Sequence, residues 1–207
     1  MPENPNMMVG EVYASAYGEE EFASVYLRGR NRVYERIGSL IQDYGINFVV
    51  DVGCSFGLLV ESLNQRGIDA FGVELDIPEL RAKHAELQSA KKFYYGDAEN
   101  FPVPVPARGS AIVYVDTLRY IAAPRSLFAE YIVVKEVGTG VWARYLRRNA
   151  EDLKRRSPQD LLGNFPGYQM ERLWSTRDIW GLSSPGLLAR YAINQFPTYT
   201  AMLKRKC

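Results

Sequence analysis

A doubly wound α/β fold, with a mostly parallel sheet covered by helices on both faces, is predicted by three observations. Short apolar runs alternate with helix-period stretches over residues 46–145. Residues 111–115 form a continuous apolar run, the pattern of a strand buried on both sides. The glycine turn Asp51-Val52-Gly53-Cys54-Ser55-Phe56-Gly57 joins the apolar run Phe48-Val49-Val50 to a helix-like stretch beginning at Leu58. A strand, a glycine turn and a helix in that order make a nucleotide-type cradle. The glycines let the backbone come close to a ligand, and the new helix points its free N–H groups at it.

The elements follow in order. Over 19–44 the apolar residues Phe22, Tyr26, Val33, Ile37, Leu40, Ile41 and Tyr44 recur at helical spacing, and Arg28, Arg30, Arg32 and Arg36 lie on other faces. Gly45 closes that helix. A strand is predicted at 48–52 and a helix at 57–65, with Gly67 as its stop. The second strand is 70–75. Pro78 suits a helix start, and 79–87 follow as helix. Strands at 92–95 and 111–115, a helix at 125–134 and a fifth strand at 141–145 complete the alternation. Residues 147–167 are polar, basic and turn-rich. Residues 168–174 and 198–203 alternate like two strands paired antiparallel at the sheet edge. Between them, 179–192 hold Ser183-Ser184-Pro185-Gly186 and a turn of helix.

Composition bounds the class. The chain has 207 residues, 47% hydrophobic and 24% charged, which suits one domain with a sizeable core or one domain with a lid. Its two cysteines, Cys54 and Cys207, do not make a disulfide framework, so a reducing, cytoplasmic setting is expected. No apolar run approaches the ~20 residues of a membrane span. Met1-Pro2-Glu3-Asn4-Pro5 lacks the basic and apolar regions of a secretion signal. Residues 1–110 carry 10 Lys+Arg against 16 Asp+Glu, and 111–207 carry 15 against 8. An acidic half for a cationic cofactor and a basic half for an anionic substrate is one reading; drift of surface charge is the other. No cysteine–histidine cluster suggests a metal.

Four acids stand at successive predicted strand ends: Asp51, Glu74, Asp97 and Asp116. In a doubly wound sheet those ends line one crevice, where ligands bind. One carboxylate offers two acceptor oxygens, so Glu74 suits both hydroxyls of a ribose. Asp97, in Tyr95-Gly96-Asp97-Ala98, suits an adenine amino group, and Asp51 an ammonium group under the turn. Each acid singly also reads as a helix cap or a solvated loop residue. A dinucleotide fingerprint fails at Ser55 and Leu58, where it needs glycine, and no Walker-type lysine follows the turn. An acid-lined cleft favours a cationic ligand.

These residues resemble the class I S-adenosylmethionine-dependent methyltransferases, whose first motif is an acid, an apolar residue and then G-x-G-x-G. Asp51, Gly53 and Gly57 match, and Ser55 replaces the middle glycine. Glu74 corresponds to the family's ribose-binding acid, with Leu75 beside it, and Asp97 with Ala98 to its adenine side. Cys54 lies within the turn. Asp116-Thr117-Leu118-Arg119-Tyr120 keeps the frame of the family's D-V-L-E-H segment with Arg119 and Tyr120 in place of Glu and His.

The resemblance implies seven strands with the last antiparallel, bound S-adenosylmethionine, and methyl transfer. It makes 1–45 a helical lid and 46–207 the cofactor-binding domain, with 146–195 a substrate-side insert. Tyr13 and Tyr17 then either close over the sulfonium, an attraction of roughly 0.5–2 kcal/mol, or pack the N-terminal segment. The only histidine, His84, reads as a surface residue on the second helix. That leaves Asp116 as candidate base, then Tyr120 or Tyr114, with a loop-turn acid as the alternative for Asp116. Arg119, Arg144 and Tyr145 are candidate substrate contacts, and the basic run 144–156 is either an anion grip or a solvated face. The expected acceptor is a small molecule, anionic in one reading. RNA methylation by the basic half and non-catalytic cofactor binding are the alternatives, and no membrane partner is expected.

Overall fold

A computed structural model describes residues 33–126, 128–137, 158–175 and 198–206. A helix (α1) covers 33–43. Strand β1, Phe48–Val52, leads through the glycine turn into α2, Leu58–Gln65. Strand β2, Asp69–Glu74, is followed by α3, Pro78–Ala85, with proline in its first turn. After a 3-10 turn at Ala90–Lys92 come β3, Phe93–Tyr95, and β4, Ser110–Val115. A second 3-10 turn, Leu118–Tyr120, precedes β5, Tyr131–Val137. Helix α4, Pro158–Asn164, and strands β6, Tyr168–Ser175, and β7, Thr198–Arg205, complete the described elements.

The seven strands form one sheet in the order β3-β2-β1-β4-β5-β7-β6. The β1–β2, β1–β4, β2–β3 and β4–β5 pairs are parallel, and β7 runs antiparallel to both β5 and β6. The chain therefore leaves β1 in one direction to reach β2 and β3 and returns to β4 on its other side. That reversal puts the C-terminal ends of β1 and β4 side by side, with Val52 opposite both Val73 and Tyr114.

The strand periodicity of two sorts the core into two layers. Val49, Ala111, Val113, Tyr131, Val133 and Met202 share one face with Ile37 and Ile41 of α1 and Leu59 and Leu63 of α2. Val50, Val52, Ile112, Tyr114, Ile132 and Ala201 face the other way, against Leu118, Leu161 and Phe165. Each such aliphatic side chain taken fully out of water contributes roughly 1.5–3 kcal/mol. Tyr34, Ile37, Leu40 and Ile41 of α1 are all buried in the first layer. The rest of the expected lid lies outside the described residues.

Two expectations change here. The helix read at 125–134 is not formed; β5 occupies Tyr131–Val137, between β4 and β7. Tyr131-Ile132-Val133-Val134 is aromatic and β-branched, and it packs best on a pleated surface with neighbours on both sides. The fifth strand is thus this segment, and the stretch 141–145 read for that role lies outside the described residues. The antiparallel pair at the sheet edge is present, with an irregularity between Met170 and Arg172.

Candidate functional site

The turn after β1 is held by its own backbone conformation and by β2. Gly53 and Gly57 both have φ of 73° and Ser55 has φ of 52°, so three of five residues are left-handed. The amides of Gly53 and Cys54 donate to the Val73 carbonyl at 2.8 and 3.3 Å. A Cβ on Gly53 would collide with the Thr117 side chain, and one on Gly57 would lie 2.6 Å from the Phe93 ring. Both glycines are therefore required by close protein packing: the space beside each is filled by a side chain, Thr117 from the β4–β5 connection and Phe93 from β3.

Glu74 ends β2 with its carboxylate turned into this turn. One oxygen accepts the Ser55 amide at 2.6 Å, and the other accepts its neighbour Leu75's amide at 2.8 Å. Burial pushes the Glu74 carboxyl up from its usual range, opposed by those two amides. Each oxygen keeps a second acceptor direction. Asp51 is 2% exposed, beneath the turn. The thiol of Cys54 is buried and pushed well up, first by burial, then by the charges of Glu74 and Asp51.

The end of β3 joins them. The Gly96 amide donates to the Glu74 carbonyl at 2.9 Å, which seats Asp97 next to the β2 terminus. Asp97 is exposed, and its Oδ1 accepts the Glu99 amide at 2.8 Å, a turn built on its own side chain. Ala98 packs against the second core layer.

Asp116, at the end of β4, is left-handed at φ 58°, and its amide donates to the Lys135 carbonyl at 2.8 Å. Its carboxylate forms an ion pair with Lys135 of β5, the two side chains being 8% and 13% exposed for Lys135 and Asp116. Tyr120 is 47% exposed on the 3-10 turn that follows. The Tyr114 hydroxyl donates to the Arg125 carbonyl at 2.6 Å, and burial pushes its pKa up. The side chain of Arg119, and all of Tyr13, Tyr17, Arg144, Tyr145 and the basic run, lie outside the described residues.

His84 is the clear correction. It is 0% exposed, not a surface residue. Its Nε2 donates to the Ser55 carbonyl at 2.6 Å, which leaves Nδ1 to accept from the Tyr95 hydroxyl at 3.0 Å. Its ring stacks on Phe93 with centroids 4.0 Å apart. Burial pulls its pKa down, so the neutral ring is favoured. A signal for this was present in the spacing: Leu80 and His84 are four apart and are the two buried residues of α3. Thr117 and Lys135 were also missed; neither has a local sequence pattern that marks its partner.

The donor and acceptor set suits an adenosine-bearing cation: buried carboxylates, a paired-acceptor Glu74 for a diol, and no cationic side chain reaching into the turn among the described contacts. Comparison with known proteins agrees. Residues 50–139 match the methyltransferase domain family. Ubiquinone biosynthesis O-methyltransferase of Chromobacterium violaceum is 28% identical over 106 residues, 50% of this chain and 46% of that protein. The chain thus matches under half the length of this relative. Among solved structures, magnesium protoporphyrin IX methyltransferase from Synechocystis PCC 6803, with bound SAH, superposes with a TM-score of 0.66 at 12% identity, covering 98% and 96% of the two chains. A SAM dependent methyltransferase from Archaeoglobus fulgidus gives 0.58 at 14% identity, covering 87% and 99%. No helix among the described residues is long and apolar enough to cross a membrane. Residues 50–139 thus resemble a methyltransferase domain, and the described fold is that of solved S-adenosylmethionine-dependent methyltransferases.

Proposed function

We propose that this chain transfers a methyl group from S-adenosylmethionine to an oxygen or nitrogen of a small-molecule acceptor. The observation that carries the reading is the Glu74 carboxylate, fixed by the Ser55 and Leu75 amides at the glycine turn, with Asp51 buried at the end of the preceding strand. When bound, S-adenosylmethionine supplies the electrophilic methyl group.

The chain's own groups then have distinct tasks. Glu74 takes the ribose hydroxyls on its remaining acceptor directions. Asp97 takes the adenine amino group beside Ala98, and Asp51 attracts the ammonium end past Gly53 and Cys54. Tyr17 is the proposed cover. A displacement at a sulfonium needs alignment and exclusion of water more than acid–base help; good alignment alone contributes ~7–11 kcal/mol. The Lys135 ion pair supports Asp116 as the residue that fixes the turn bearing Thr117 and Tyr120, more than as a free base. Tyr120, half exposed at that rim, is the proposed contact for the acceptor, with Arg119, Arg144 and Tyr145 as further candidates. The O-methyltransferase relative favours an oxygen acceptor.

The test has two arms. Calorimetry with S-adenosylhomocysteine measures the cofactor site, and transfer of labelled methyl from S-adenosylmethionine is followed over phenols, amines, carboxylic acids and RNA. Labelling of small phenolic or acidic acceptors is the expected result. Labelling of RNA alone would replace the acceptor class, and cofactor binding with no labelled product would favour a non-catalytic binding protein.

A further inference from the structure

We propose that His84 is a positioning residue of the cofactor turn, holding Ser55 in its left-handed conformation from the carbonyl side while Glu74 holds it from the amide side. The proposal rests on the reading that this turn receives S-adenosylmethionine.

Ser55 stands where glycine would adopt φ 52° without cost. A residue with a Cβ resists that conformation, and it persists only where its surroundings over-determine it. Two side chains do so here. Glu74 accepts the Ser55 amide at 2.6 Å, and His84 donates to the Ser55 carbonyl at 2.6 Å. The two peptide groups flanking the strained α-carbon are thereby pinned in opposite senses, one by an acceptor at the end of β2 and one by a donor from α3.

The donor is itself oriented. A carbonyl only accepts, so Nε2 carries the ring proton and Nδ1 accepts from Tyr95. The Phe93 ring lies nearly parallel to the imidazole, with an interplanar angle of 6°. Arg81, one turn before His84 on α3, sits 3.9 Å over the Tyr95 ring and pairs with Asp76. Tautomer, ring plane and phenol are each fixed by a different element, which is the arrangement that makes a buried donor directional.

The experiment compares His84→Phe, which keeps the stacking surface, with His84→Gln, whose terminal amide keeps an N–H near the Nε2 position. S-adenosylhomocysteine affinity is measured by calorimetry and amide exchange over 53–57 by mass spectrometry. His84→Phe is expected to weaken binding about five- to twentyfold and to speed exchange in the turn, and His84→Gln to restore most of both. In a Ser55→Gly background the His84→Phe penalty should shrink, because the conformation no longer needs clamping. Wild-type affinity and unchanged exchange in His84→Phe would overturn the proposal, as would an equal loss in both variants. Should His84→Phe not fold, Tyr95→Phe carries the test: about two- to threefold weaker binding is expected, and no change in affinity or exchange overturns it. If the wild type itself fails to bind, the functional reading falls, and the exchange comparison still decides whether His84 holds the turn.

Discussion

The two halves of the sheet hold their buried charge differently. In the β1–β3 half, the Glu74 carboxylate lies among backbone amides, accepting from Ser55 and Leu75. In the β4–β7 half, Asp116 faces the Lys135 ammonium directly, both side chains nearly buried. Amides orient a carboxylate and leave it acceptor directions for a ligand. An ammonium consumes its charge. On the proposed function the first half binds the cofactor, and the second fixes the turn that carries Thr117 against Gly53.

The largest test of that contrast is removal of the ammonium. Lys135→Met should destabilise the fold by about 3 kcal/mol, because it strands a buried carboxylate, and Lys135→Met combined with Asp116→Asn should recover part of the loss. Urea denaturation measures both. A loss under about 0.5 kcal/mol would mean that the pair is solvated and the contrast false.

The next is steric. Gly53→Ala should cost about 2–3 kcal/mol by the same method, from a Cβ driven into Thr117 and from a left-handed φ. Adding Thr117→Ala should remove the two closest contacts, with Oγ1 and Cγ2, and lower the cost towards the backbone strain of about 1 kcal/mol, the Thr117 Cβ remaining at 2.9 Å. Equal costs in both backgrounds would detach the two halves from each other.

The smallest is a pH effect. Burial lowers the His84 pKa from 6.5, so between that value and the lower folded one the unfolded chain binds a proton that the native chain does not. Stability should therefore fall as pH drops below about 6.5, and this part of the slope should vanish in His84→Phe. A slope identical in both proteins would place the titration elsewhere.

The halves also differ in how much the sequence disclosed. β1 was legible to the residue, because its apolar run is bounded by Asn47 and by a glycine turn. Glu74 and Asp97 were legible as strand-end acids. β5 was misread because Arg125 to Val134 mixes helical spacing with β-branched residues, and only the empty slot between β4 and β7 decides between them. His84 was misread because its partners, Ser55 and Tyr95, lie 29 and 11 residues away on other elements. Lys135 reaches Asp116 only through the β4–β5 register. Local pattern marks positions within an element; contacts between elements follow from topology.

The account stands most directly on the Glu74 carboxylate. Calorimetric titration of S-adenosylhomocysteine into wild type and Glu74→Ala should give binding to the first and a loss of roughly 1–3 kcal/mol in the second, with the fold retained by circular dichroism. Equal affinity in two folded proteins would contradict it.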